Sequence, residues 1–177
     1  MIKKKFRGII DKALILFILL FLVSIFIVQP FEVEGISMEN NFYEGDCLFV
    51  NKFIYNFKKP QRFDVIVFGS ETKPSTRYIK RVIGLPEEVI FIREGKIFIN
   101  GIPLREEKII KEKMNMDLVY FPPTKIPKGH VFVMGDNRNN SLDSVELGPI
   151  NIKTIIGKVF IRYWSSRNTA THFLIRK

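Results

Sequence analysis

Three short stretches carry the residue types that could do chemistry. Glu34-Gly35-Ile36-Ser37-Met38 offers a serine just after a glycine. Arg77-Tyr78-Ile79-Lys80-Arg81 offers a lysine flanked by apolar residues. Gly135-Asp136-Asn137-Arg138-Asn139-Asn140-Ser141-Leu142-Asp143-Ser144 is a dense polar loop. A serine hydroxyl is a poor nucleophile until a neighbouring group removes its proton. Histidine usually does this, but neither His130 nor His172 lies in a setting that suggests it. A lysine can replace it when desolvated, because burial disfavours the ammonium and lowers its pKa. Lys80 fits that demand better than most lysines here, since Tyr78, Ile79, Val82 and Ile83 surround it. In a strand, Tyr78, Lys80 and Val82 share a face. The expectation is a single serine–lysine hydrolytic site.

Each stretch also has an ordinary structural explanation. Ser37 reads as a turn serine and Lys80 as a strand lysine with its head in water. Asp136, Asn137 and Asp143 read as a polar turn whose side chains cap backbone donors. Their joint occurrence just past the most hydrophobic run of the chain is harder to explain that way.

That run is residues 13–28, fifteen apolar residues and Ser24 with no charge. At ~1.5 Å per residue it is somewhat short for a ~30 Å hydrocarbon core, and its apolar flanks extend it. Lys3, Lys4, Lys5, Arg7 and Lys12 precede it against Asp11, so the first twelve residues hold +4 of the net +10. The positive-inside rule then predicts a cytoplasmic tail over 1–12, a membrane anchor over 13–30 and an extracytoplasmic domain over 31–177. A cleaved signal peptide has the same order of features. However, Val28-Gln29-Pro30-Phe31 is too bulky for a small-x-small cleavage site, which favours the uncleaved anchor.

The remaining charge is dispersed with no long basic run, unlike a nucleic-acid-binding stripe. Anionic lipid beside the anchor is the better partner for the basic tail. One cysteine, Cys47, excludes an intrachain disulfide framework and a cysteine-based zinc site. Two isolated histidines suggest no metal centre. No cofactor, metal or nucleic acid is expected, and the chain is expected to be monomeric.

After Pro30 the pattern turns to strands. Phe31-Glu32-Val33-Glu34 alternates with the period of a half-buried strand, and Cys47-Leu48-Phe49-Val50 and Val65-Ile66-Val67-Phe68 suit buried ones. Residues 78–83, Val131-Phe132-Val133-Met134 and residues 155–164 follow as strand candidates, with residues 172–175 as a further one. Val89-Ile90-Phe91-Ile92 and Lys96-Ile97-Phe98-Ile99, with Glu94-Gly95 between them and Asn100-Gly101 after, give a strong hairpin signal. Residues 104–117 have helix-like charge spacing, Glu107 with Lys111, but read equally as an irregular excursion. Pro122-Pro123 and Pro127 read as a loop. The fold expectation is one mainly β domain behind one transmembrane helix.

This combination resembles the bacterial type I signal peptidases, membrane-bound Ser/Lys enzymes of peptidase family S26 that remove signal peptides from exported proteins. The similarity includes Gly35-Ile36-Ser37-Met38, Gly45-Asp46 before Val50-Asn51-Lys52-Phe53, and Arg62 with Asp64 before Val65-Ile66-Val67-Phe68. It continues through Tyr78-Ile79-Lys80-Arg81, Gly84-Leu85-Pro86 and residues 129–138, to Ser141 and Asp143-Ser144. The short length and single anchor look like the Gram-positive branch. The resemblance implies a β-barrel-like catalytic domain with a small inserted excursion. It implies Ser37 as nucleophile, Lys80 as general base and Ser141 as the residue that hydrogen-bonds and orients the lysine. Arg81, Asp136 and Asp143 would support the site. The Ser37 N–H would form part of an oxyanion hole, with Gly35 where some relatives carry a hydroxyl. Met38 would be a wall of a shallow pocket accepting small side chains, as in Ala-x-Ala. The implied partners are signal-peptide-bearing preproteins, pilins among them, and membrane lipids.

The chain departs from that pattern at four places. Asn40-Asn41 stand where the family has Pro-Thr, Glu87-Glu88 where it has Gly-Asp, and Phe63 where a glycine precedes Asp64. Val145 stands where an arginine follows Asp-Ser, leaving Arg81 or Arg138 to pair with Asp143. These departures keep a second expectation open, a binding module of the same fold that holds pilins without cutting them. A self-cleaving Ser/Lys repressor relative ranks last, for want of a DNA-binding helix pair.

Overall fold

The computed structural model describes residues 10–19, 27–73, 75–107, 109–110 and 120–167. Residues 10–19 are helical (α1). No helix of the described residues is long and apolar enough to cross a membrane. Of the expected anchor 13–30, residues 20–26 lie outside the described residues, as do residues 1–9 of the basic tail and the candidate strand 172–175, while residues 28–30 belong to the first strand of the domain and not to a membrane span.

Eleven strands make two antiparallel sheets among the described residues. The larger runs β1 (Val28–Glu32), β2 (Cys47–Asn51), β11 (Ile155–Trp164), β3 (Val65–Gly69), β4 (Arg77–Gly84), β9 (His130–Met134) and β10 (Ile150–Asn151). The smaller runs β7 (Ile102–Pro103), β6 (Lys96–Ile99), β5 (Val89–Arg93) and β8 (Phe121–Lys125). Neither closes on itself among the described residues, so the mainly β expectation stands as two open sheets rather than a closed barrel. Two single-turn helices are added, α2 (Ile54–Phe57) and α3 (Ser144–Leu147).

The hairpins form where the turn chemistry placed them. Glu94 and Gly95 take φ of 52° and 67° between β5 and β6, and Asn100 and Gly101 take 51° and 80° between β6 and β7. Two consecutive positive φ values match the right-handed twist of the flanking strands. The proline-rich stretch departs from the loop expectation, because Pro122 and Pro123 lie in β8. That strand is an edge, where a missing N–H leaves no ladder bond unmade. The described part of 104–117 contains no helix; residues 111–117 lie outside it.

β4 ties the molecule together. Its Ile79 packs with Val33, Met38, Leu48 and Val50; its Val82 packs with Ile66, Val131 and Val133; and its Ile83 joins Ile90, Ile92 and Phe132 between the two sheets. Three apolar clusters thus fix one strand, and that strand carries Lys80 and Arg81.

Candidate active site

Lys80 is placed by β4, paired through β3 so that it stands opposite Ile66. It is 3% exposed, and its Nζ donates to Ser37 Oγ at 2.6 Å. Burial pulls its pKa down to about 8, while the carboxylates of Asp143 and then Asp136 oppose that fall. A lysine at this value holds an appreciable neutral fraction near neutral pH, so it can take a proton.

Ser37 sits in a turn that follows β1, clasped by the polar loop. Asn137 N donates to the Ser37 carbonyl at 3.1 Å, and Asn137 Nδ2 donates to the Ile36 carbonyl at 3.1 Å. The backbone of Gly135 passes so near that a β-carbon there would collide with the Ser37 carbonyl and the Ser141 side chain. Only glycine permits this approach. Gly35, at φ 78°, allows the chain to enter the turn in the left-handed region. The Ser37 N–H makes no backbone hydrogen bond among the described residues, leaving it free for an incoming oxyanion.

Behind the lysine lies a buried ion pair. Arg81 Nε and NH2 donate to the two oxygens of Asp136 at 2.7 and 2.6 Å, and Arg81 NH1 donates to the Phe63 carbonyl at 2.9 Å. Asn41 Nδ2 adds a bond to Asp136 Oδ2 at 2.9 Å. Arg138 is paired in a fork with Glu106, both bonds at 2.6 Å.

Three expected roles take a different form. Asp143 pairs with neither Arg81 nor Arg138, which are bound to Asp136 and Glu106. It is instead the N-cap of α3, accepting from Val145 N at 3.1 Å and Gly135 N at 3.2 Å, with Glu146 completing a capping box. Burial raises its pKa, against the lowering effect of those two backbone donors. Ser141 makes no hydrogen bond to Lys80: its Oγ is buried without a partner of normal geometry, near enough to Asp143 only to favour the carboxylate's charge. Met38 is fully buried in the core beneath Ser37 and is not among the residues lining the cleft.

The cleft holds about 530 Å³ and is lined by Phe31, Glu32, Glu34 and Ser37 on one wall and Arg77, Tyr78, Ile79 and Lys80 on the other. Both walls offer strand edges that are unpaired among the described residues. β1 ends the larger sheet, and β9 pairs only with residues 81–84 of β4, leaving 77–80 open on that side. An extended peptide has room to add to both.

Sequence reasoning missed Asn41, Gly135 as a point of close approach, and Glu106. Asn41 was visible only as a departure from the family pattern, and nothing local joins it to Asp136, ninety-five residues away.

A buried lysine on a serine hydroxyl, beside a free N–H and an open cleft, is an arrangement able to carry acyl transfer of the Ser/Lys hydrolase kind. The chain belongs to the signal peptidase, peptidase S26 family, whose model matches residues 6–164, and it is a peptidase of that family. Signal peptidase I P of Bacillus subtilis subsp. natto is 42% identical over 88% of this chain and 89% of its own length. Signal peptidase I T of Bacillus subtilis is 37% identical over 94% and 93%. A crystal structure of a signal peptidase I from Enterococcus faecalis is 34% identical, covering 58% of this chain and 98% of its own, with a TM-score of 0.49.

Proposed function

We propose that this protein is a membrane-anchored serine endopeptidase that removes N-terminal signal peptides from exported preproteins after Ala-x-Ala-like sites. The observation that carries the reading is the 2.6 Å contact between buried Lys80 Nζ and Ser37 Oγ at the head of the cleft. Neutral Lys80 takes the Ser37 proton as Oγ attacks the scissile carbonyl carbon. The oxyanion is met by the Ser37 N–H. Collapse breaks the C–N bond, and the Lys80 ammonium returns the proton to the leaving amine. Lys80 then activates a water that hydrolyses the ester. Ser141, its hydroxyl buried and unspent, is the residue available to steady the lysine as its charge changes.

The substrate lies extended between β1 and residues 77–80, with the side chains one and three residues before the cut facing the apolar wall of Phe31 and Ile79. In this reading residues 1–12 are cytoplasmic, the apolar run from residue 13 spans the membrane and gives way to β1 at Val28, and the domain stands outside with its substrate held at high effective concentration. Exposed Phe53, Phe57 and Phe160, close to where β1 enters the sheet, are suited to the lipid headgroup region.

The test is cleavage of a membrane-targeted precursor bearing Ala-x-Ala by wild type, Ser37→Ala and Lys80→Ala proteins in detergent. Cutting by wild type alone is expected. Binding of pilin precursors without cutting of any precursor would replace this reading with an assembly module of the same fold.

A further inference from the structure

Glu32, Val33 and Glu34 alternate across the first wall of the cleft: Val33 is buried in the core, while both glutamates are exposed. On the facing wall Ile79 shares Val33's apolar cluster, so that cluster marks the inner face of both walls. Arg77 has the parity of Ile79 and belongs to that inner face, further from Ser37. The two carboxylates therefore share the face of the first wall opposite Val33. Neither glutamate has an ion-pair partner among the described residues.

A substrate strand beside β1 alternates in the same way, and side chains on one face of neighbouring strands interact directly. With the residues one and three before the cut turned inward, the residue two before it turns outward. Glu34 stands three residues ahead of Ser37, so the two are no more than ~10 Å apart, and both line the cleft, which puts the carboxylate within reach of that outward residue. We propose that Glu34, aided by Glu32 one step further upstream, is a specificity-determining residue that favours a lysine or arginine two residues before the scissile bond and disfavours an acidic one. The inference rests on the endopeptidase reading above and names which substrates that site prefers.

The experiment compares three precursor peptides that differ only at that position, carrying Lys, Gln or Glu, cut by wild type, Glu34→Gln and Glu34→Lys proteins at low ionic strength. Wild type is expected to prefer Lys over Glu by about fivefold in kcat/KM, the ratio an exposed ion pair sustains. The preference should shrink with added salt, vanish in Glu34→Gln and invert in Glu34→Lys. Cutting with the same Lys-to-Glu ratio in all three proteins would overturn the inference and leave the endopeptidase reading intact. Failure of every protein to cut any peptide would overturn that reading and this inference with it.

Discussion

Lys80 Nζ lies 2.6 Å from Ser37 Oγ although only 3% of the lysine reaches solvent. A group buried on this scale is more readily deprotonated than a free lysine, and burial sets its pKa at about 8. In the proposed mechanism the neutral form is the one that accepts the serine proton. Activity should therefore rise with pH, close to tenfold per unit below that value, and level off above it. The pH profile of kcat/KM is the measurement, and a profile flat from pH 6 to 9 would remove Lys80 from the role of base. Lys80→Ala should lower kcat by at least about 100-fold.

Gly135 brings the polar loop against Ser37. An alanine there would drive its β-carbon into the Ser37 carbonyl and Ser141. Because the obstruction includes backbone, the serine turn has to move, and a shift of about 1 Å can cost 100-fold in rate. Gly135→Ala should thus lose most of its kcat, while Gly69→Ala, with open space about its α-carbon, serves as the control. Equal activity in the two variants would show that the close approach does not position Ser37.

The Arg81–Asp136 pair is buried and bidentate. Removing one partner leaves an uncompensated charge inside, a loss of about 3–5 kcal/mol. Arg81→Met should unfold at much lower denaturant concentration than wild type. Arg81→Met combined with Asp136→Leu should recover part of that loss, because the orphaned carboxylate is gone. No recovery in the double variant would mean that Arg81 acts through contacts other than this pair, such as its bond to the Phe63 carbonyl.

Glu87 is exposed and holds φ at 70°, a region glycine occupies freely and a side chain resists. Glu87→Gly should be more stable than wild type by about 0.5–1 kcal/mol, the strain relieved less the entropy glycine adds to the unfolded chain. Thermal melts of wild type, Glu87→Gly and Glu87→Ala check this. Glycine should melt highest, and a glycine variant no more stable than the alanine one would show that the backbone there is unstrained.

Much of the site was legible because its members sit in short local signals. Ser37 and Lys80 stood in motifs, and the strands about them announced themselves by apolar runs and turn pairs. The departures were legible only as departures. Their meaning came from the fold: Phe63 and Glu87 stand at left-handed positions, which explains why a glycine suits them. Glu88 is taken up by Arg62 at 2.5 Å, and Asn41 by Asp136.

Local periodicity depends on neighbours in the chain, and so the sequence by itself determined a mainly β domain, the apolar run before it, and the serine and lysine able to do the chemistry. Which carboxylate each arginine would bind was decided by tertiary structure alone. Arg81 and Asp136 lie fifty-five residues apart, and Arg138 and Glu106 thirty-two. Choosing among such partners depends on which side chains the packed sheets bring within hydrogen-bond reach, and on the cost of leaving any of them buried and unpaired. That choice left Asp143 to the local role its polar turn already allowed, capping the backbone donors of α3 with Glu146 three residues on.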